Sequence, residues 1–192
     1  MRSRPPLSVS VTRHEEKEHK LREFILHHLG AAEESDGAPQ ACLIVARSLD
    51  SPVVKAITGL AEEIAAAGLS VRLILAHLDR DPFPEDWGRD IAFAHEIRWA
   101  RHPRLIEAHE QLVLGPQVCW IGDCMRRDPS KCDAYESYVE GCGEAAGCAT
   151  VSFERLWHAS QPLVARASRG TDLADLLVPP EAASQPTVGT RH

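Results

Sequence analysis

Residues 109–127 read HEQLVLGPQVCWIGDCMRR, and this stretch decides how the rest of the chain is interpreted. Residues 112–114, LVL, form a short apolar run that Gly115 and Pro116 interrupt. Residues 118–121, VCWI, form a second apolar run, and a Gly-Asp pair ends it. Two apolar runs joined by a turn signal predict a β-hairpin whose strands are buried on both faces. The sequence thus sets a histidine at the start of one strand and an Asp/Arg group at the end of the other.

Upstream of the hairpin, the chain shows the pattern of a βαβ unit. The apolar run at residues 41–46, ACLIVA, predicts a central strand, and Pro52 suits the first turn of a helix that Gly68 ends. Residues 71–76, VRLILA, predict the next strand. We therefore expect parallel pairing with a right-handed crossover. The apolar stripe of the helix is Val53, Ile57, Leu60 and Ile64.

The flanks of this unit predict further helices and a tail. A helix from His14 to about Leu29 has four apolar residues on one face, namely Leu21, Phe24, Ile25 and Leu29. We expect residues 1–11 to be frayed, residues 131–139 to be helical, and Ser152 to cap a last helix. The predicted domains are residues 1–40 (N-terminal helix and linker), 41–165 (α/β domain) and 166–192 (mostly disordered tail).

Composition narrows the class of protein. The chain has 192 residues, of which 44% are apolar and 26% charged, the balance of a soluble globular protein. The net charge of -7 argues against nucleic acid as a partner. No apolar run approaches the roughly 20 residues that span a membrane, and the first residues lack the apolar core of a signal peptide. We therefore expect no membrane association and a cytoplasmic location.

The hairpin and its flanking elements resemble one half of a phospholipase D-like domain, over roughly residues 41–163. That superfamily's motif is His-x-Lys, four residues, Asp and then, after a turn, Gly-Ser-x-x-Asn. His109 stands where the family has its nucleophile, Gln111 replaces the Lys, and Asp123 replaces the Ser. The resemblance implies an α/β fold: a mixed β-sheet flanked by helices on both faces, with an extra N-terminal helix added to half of a phospholipase D-like architecture.

The family's chemistry shows why these departures matter. In the family, a His attacks the phosphorus of a phosphodiester, and a second His from another motif copy protonates the leaving oxygen. The Lys and Asn stabilise the charge that develops on the phosphoryl oxygens. Gln111 carries no charge, and Asp123 adds a negative one. Losing a charged phosphate contact costs a few kcal/mol, or about two decades of rate.

The leading hypothesis is therefore a degenerate phospholipase D-like domain that lacks efficient catalysis and serves a binding or scaffold role. The alternative is a weak phosphodiesterase or nuclease that uses His109. Because the chain has one motif copy, this enzyme would be a homodimer. Arg126 and Arg127 could replace the missing cation, since guanidinium binds phosphate at two points. The candidate ligand-binding residues for a phosphate-containing ligand are Gln111, Asp123, Arg126 and Arg127.

A third hypothesis comes from the cysteines. Cys124, Cys132, Cys142 and Cys148 could form a metal- or redox-responsive module, although no Cys-x-x-Cys knuckle is present. The histidines of the first helix contain no pair at the i, i+4 spacing that puts two imidazoles on one metal. The sequence predicts no metal and no cofactor.

Overall fold

The fold is built around one sheet, whose strands alternate with helices along the chain. The computed structural model describes residues 7–11, 14–32, 41–76, 94–100, 108–125 and 134–163. The elements in chain order are β1 (Leu7–Val11), α1 (His14–Ala32), β2 (Ala41–Ala46), α2 (Pro52–Thr58), α3 (Ala61–Ala66), β3 (Ser70–Leu75), β4 (Glu96–Trp99), β5 (His109–Val113), β6 (Cys119–Cys124), β7 (Ala134–Val139), α4 (Gly143–Ala159) and β8 (Gln161–Leu163).

The sheet is mixed, as the resemblance implied. Within the described residues it has eight strands, which run in the order β1-β7-β6-β5-β2-β3-β4-β8. Strands β2, β3 and β4 pair in parallel, which confirms the predicted βαβ unit, while the remaining pairings are antiparallel. Strands β5 and β6 form the predicted hairpin and join the sheet through β2 and β7. The hairpin therefore lies inside the sheet, where both of its faces are covered.

Helices cover both faces of the sheet, as predicted. One core layer contains the apolar stripe of α1, the buried residues of α2 and α3, and strand residues such as Ile44, Leu112 and Trp120. The other layer contains α4 with the alternate strand residues, among them Val45 and Val113. We call these sides the α1 face and the α4 face. Residues of β2 and β5 alternate between the two faces because side chains on a strand point to opposite sides.

Two segments next to the sheet differ from the sequence prediction. Residues 134–139, AYESYV, form strand β7 and not a helix, because the tyrosines and valine favour a strand and β1 and β6 bind both of its edges. Residues 7–11, expected to be frayed, form β1 and pair with β7. The alternating LSVSV pattern has the two-residue period of a strand, so this pairing has a local cause.

Two helices also begin or end elsewhere than predicted. The helix from Pro52 is divided into α2 and α3 by Gly59 and Leu60. A Cβ at Gly59 would lie 2.2 Å from Nη2 of Arg22, so the glycine lets α1 pack closely on this junction. The last helix begins at Gly143 and not at Ser152, because Ala146 and Ala149 continue its buried face by two further turns. The predicted tail at residues 166–192 lies outside the described residues.

The hairpin contains one unusually close approach, between Gly122 and Trp120. A Cβ at Gly122 would lie 2.2 Å from the Trp120 ring, and that ring is 1% exposed. The ring is enclosed by core residues and has no solvent to move into. The second strand of the hairpin therefore requires glycine at this position.

We expect Gly122→Ala to destabilise the fold by about 1 to 3 kcal/mol, because the added methyl overpacks a filled core. Gly147→Ala is the matched control: Gly147 is exposed in α4 and a Cβ there meets nothing within 4 Å. The control should be neutral or stabilising by up to about 1 kcal/mol. Urea unfolding followed by circular dichroism measures both. Equal midpoints for Gly122→Ala and the wild type would show that the contact carries no constraint.

Candidate functional site

His109 lies at the start of β5 with its side chain exposed. Its Nδ1 is 2.9 Å from the carbonyl oxygen of Gly122 on the facing strand. Since a carbonyl can only accept, Nδ1 donates, and Nε2 is the nitrogen without a proton in the neutral ring. The β5–β6 pairing shifts register between His109 and Gln111. The hairpin thus presents one histidine at its edge, with Nε2 as the basic nitrogen.

Gln111, predicted to stand at the position of the motif's Lys, points to the α4 face. Its side chain is buried, and Nε2 donates a hydrogen bond of 3.1 Å to the carbonyl oxygen of Ala149. Ala149 lies in α4, so the amide fastens this helix to the central strand β5. The contact fixes Gln111 in a structural role on the α4 face.

Asp123, predicted to stand at the position of the motif's Ser, lies on the α1 face. Its Oδ2 is 2.6 Å from Nζ of Lys17, a residue of α1. The same ammonium lies 3.4 Å from Oε1 of Glu136 on β7. The side chains of Lys17, Asp123 and Glu136 are 10%, 19% and 0% exposed, so the ammonium lies between two largely buried carboxylates. The sheet therefore separates Gln111 from Asp123.

Tyr138 completes this group, which we call the Lys17 cluster: Lys17, Asp123, Glu136 and Tyr138. The Tyr138 hydroxyl donates to Oε2 of Glu136 at 3.1 Å. Burial raises the pKa of Glu136 above its ordinary value, and the attraction of Lys17 opposes that rise only in part. Burial, followed by the nearby Glu136, also raises the pKa of Tyr138. Because one cation faces two carboxylates, the cluster favours a proton on Glu136.

The Lys17 cluster was not predicted from the sequence, although the position of Lys17 on the apolar stripe of α1 indicated a buried charge. Lys17 lies four residues before Leu21, so it continues the apolar stripe of α1 toward the start of the helix. A charged residue on a buried stripe indicates a buried partner. Glu136 was not identified as its partner because residues 131–139 were predicted to be helical. With the two-residue period of a strand, Glu136 and Tyr138 fall on one face.

A second polar group fixes the loop after β2, and it too was missed. Glu110 is buried on the α1 face, and its Oε1 accepts hydrogen bonds from the Ser51 hydroxyl and from the backbone N–H of Arg47 at 3.0 Å. Nη2 of Arg47 donates to the carbonyl oxygens of Cys124 and Met125 at 2.9 and 2.8 Å. Arg47 therefore binds the end of β6, next to the hairpin.

The other predicted site residues are described only in part. Arg126, Arg127 and Cys132 lie outside the described residues. Among the cysteines that the structure describes, none is in a disulfide. Cys42 and Cys119 are core residues, and burial raises their pKa values to about 12 and about 11. Of the predicted cysteine module, Cys142 is half-buried and Cys148 exposed.

The architecture matches solved structures of the phospholipase D family. One match is Nuc from Salmonella typhimurium, a phospholipase D family member, with 11% identity, a TM-score of 0.52, and 83% of this chain and 99% of that chain covered. Another is NucT from Helicobacter pylori, with 8% identity, a TM-score of 0.51 and the same coverage. The chain therefore has a phospholipase D-like fold, as the hairpin predicted.

A third structure matches less of its own length. TrmBL2, an archaeal chromatin protein described as showing a novel mode of DNA binding, has 11% identity and a TM-score of 0.48. The match covers 83% of this chain and 55% of that protein, so this chain spans about half of TrmBL2. No protein-family model matches the sequence, and a search of curated proteins also found no match. None of the described helices combines the length and apolar character needed to cross a membrane.

Removing the charge of Lys17 tests the energetics of its cluster. We expect Lys17→Met to destabilise the fold by about 3 kcal/mol at neutral pH, because it removes the cation that lies between the Asp123 and Glu136 carboxyl groups. Lys20→Met, a half-buried lysine of the same helix, should change stability by less than about 0.5 kcal/mol. Denaturant unfolding gives both values. Equal effects of the two substitutions would contradict the buried ion pair.

The raised pKa of Glu136 predicts a pH dependence. The folded protein keeps the Glu136 proton where the unfolded chain, with its ordinary pKa of 4.5, has lost it. Unfolding then releases a proton, so the contribution of Glu136 is full below pH 4.5 and declines as pH rises through the folded pKa. The stability of the wild type relative to Glu136→Gln should fall over this range. Parallel pH profiles of unfolding free energy for the two proteins would contradict the shift.

Proposed function

We propose that this chain is a degenerate phospholipase D-like domain that lacks efficient phosphodiester cleavage and serves as a binding or scaffold protein. The proposal includes the predicted cytoplasmic location and a homodimer as its assembled form. In this proposal the hairpin is part of the phospholipase D-like fold, but the residues at its phosphate-binding positions have other roles.

The observation that carries the proposal is the separation of Gln111 and Asp123 by the sheet. Phosphoryl transfer needs donors and cations that converge on one group of oxygens. Gln111 instead donates to α4 on one face, and Asp123 accepts from Lys17 on the other. Two residues on opposite faces of a sheet cannot hold one phosphate together.

The charges near the hairpin support the same conclusion. Lys17 is already neutralised by Asp123 and lies close to Glu136. Arg47 donates two hydrogen bonds to backbone carbonyls at the end of β6. The cations that the structure describes beside the hairpin therefore serve internal contacts. A transition state that gains negative charge would find little compensation there.

Apolar contacts explain why the hairpin would be kept without its chemistry. The hairpin contributes buried residues to both core layers, with Leu112 and Trp120 on the α1 face and Val113 and Cys119 on the α4 face. Selection for a stable fold alone would keep such residues. Retention of the hairpin is therefore compatible with the loss of its chemistry.

A hydrolysis assay with bis(p-nitrophenyl) phosphate and with DNA tests the proposal. We expect the purified full chain to release no more product than His109→Ala or His158→Ala, a matched exposed histidine in α4. Circular dichroism checks that all three proteins are folded. Turnover that His109→Ala abolishes and His158→Ala keeps would overturn the proposal.

That contrary result would favour the second candidate, a weak homodimeric phosphodiesterase or nuclease. The observation in its favour is the exposed His109, whose Nδ1 is held by Gly122 while Nε2 is the basic nitrogen. This orientation suits a nucleophile or general base. Such an enzyme would also be a dimer in solution, so light scattering after gel filtration should give twice the monomer mass. An active monomer would contradict this second candidate.

A further inference from the structure

A group of potential metal ligands lies away from the hairpin motif, between the later part of α1 and the end of β7. It consists of His27, His28 and Glu140. One ligand atom from each residue lies within 4.8 Å of the others. Nε2 of His28 is 3.4 Å from Oε1 of Glu140. Two imidazoles and one carboxylate are a ligand set that divalent transition metals accept.

The position of His28 is fixed by its neighbours. Its ring contacts Phe24 edge-on at 4.8 Å between centroids and His27 at 4.9 Å. Phe24 in turn contacts Tyr138 at 5.1 Å, which connects this region to the Lys17 cluster. The ring of His28 therefore packs on Phe24, which itself contacts the sheet through Tyr138. Preorganisation of this kind lowers the cost of binding.

One atom of His28 has no hydrogen bond of good geometry, although the Glu140 carboxylate lies beside it. Its side chain is 13% exposed, and its Nε2 is buried without a hydrogen bond of acceptable geometry. An unsatisfied buried nitrogen costs free energy unless something binds to it.

We propose that His27, His28 and Glu140 bind a divalent transition metal ion, with Zn²⁺ as the best fit. Zinc bound by three protein ligands keeps a fourth position for water. Its bonds of about 2.0 to 2.2 Å require the three ligand atoms to approach one another more closely. His27 and Glu140 are exposed and can rotate to do so, while His28 stays in place. The metal would clamp α1 to the strand that carries Glu136.

The proposal does not depend on the proposed function, because none of the three ligands belongs to the hairpin. Helical spacing alone could not reveal the site, since the histidines are adjacent and the third ligand follows a strand that is distant in the chain. A matched control exists on the same helix. His19 and Glu23 lie 3.3 Å apart at the i, i+4 spacing, but their side chains are 73% and 67% exposed. They provide two ligands at the surface, and among the described residues no third ligand completes the set.

The test is calorimetric titration of zinc chloride into the metal-free full chain. We expect one saturable site in the wild type and in His19→Gln. Glu140→Gln and His27→Gln should each weaken binding by about 100-fold or more, because each removes a ligand. Both substitutions are at exposed positions, so the fold should persist. Zinc should also raise the melting temperature of the wild type and leave that of Glu140→Gln unchanged.

Cobalt substitution separates this site from one made by cysteines. Cobalt bound by imidazole and carboxylate should show weak visible bands without the strong near-ultraviolet absorption of a cobalt–thiolate bond. Thiolate absorption would overturn the proposal, as would zinc affinity that Glu140→Gln and His27→Gln leave unchanged. Binding that His19→Gln abolishes would overturn it as well.

Discussion

The buried ammonium of Lys17 is the contact on which the arrangement around the hairpin depends. It lies between carboxylates of β6 and β7, so a single side chain joins α1 to two neighbouring strands. Burying an ion costs several kcal/mol unless it is paired, and this pairing is available only when α1 lies across the sheet in one position. The apolar stripe of α1 attaches the helix to the core, and Lys17 fixes its placement.

This contact also explains how a phospholipase D-like hairpin can lie beside charged residues that already neutralise each other. Asp123 brings a negative charge to the end of β6, and Lys17 balances it from α1. The helix that the resemblance treats as an addition therefore provides the counter-ion for a departure from the family's motif. Removal of either residue would break the ion pair that joins α1 to the end of β6. The proposed loss of catalysis and the proposed scaffold role both rest on this contact, in which Asp123 binds Lys17 of the same chain and not a ligand.

Much of the fold could be predicted from local patterns. Strand β2 has the bounds that its apolar run indicated, and the parallel β2–β3 pair and the hairpin are confirmed. Strand β7 was predicted wrongly because two tyrosines at i, i+3 resemble a helical face, while the edges of β1 and β6 that stabilise the strand come from distant sequence. Non-local pairing of this kind leaves little local signal.

The candidate site was harder to predict, because its contacts cross between elements. The sequence predicted His109, Gln111 and Asp123 as site residues, yet it could not show that the sheet separates the last two. A one-residue register shift after His109 alters which face each side chain occupies. The partners of Gln111 and Asp123 lie on α4 and α1, far away in the chain.

A double-mutant cycle between Lys17 and Asp123 tests the central claim most directly. The four proteins are the wild type, Lys17→Met, Asp123→Asn and the double variant, and denaturant unfolding gives each free energy. The structure predicts a favourable coupling of about 1 to 3 kcal/mol, as expected for a pair in direct contact in a largely buried site. Additive effects, with a coupling within about 0.3 kcal/mol of zero, would contradict the claim that Lys17 is the partner of Asp123.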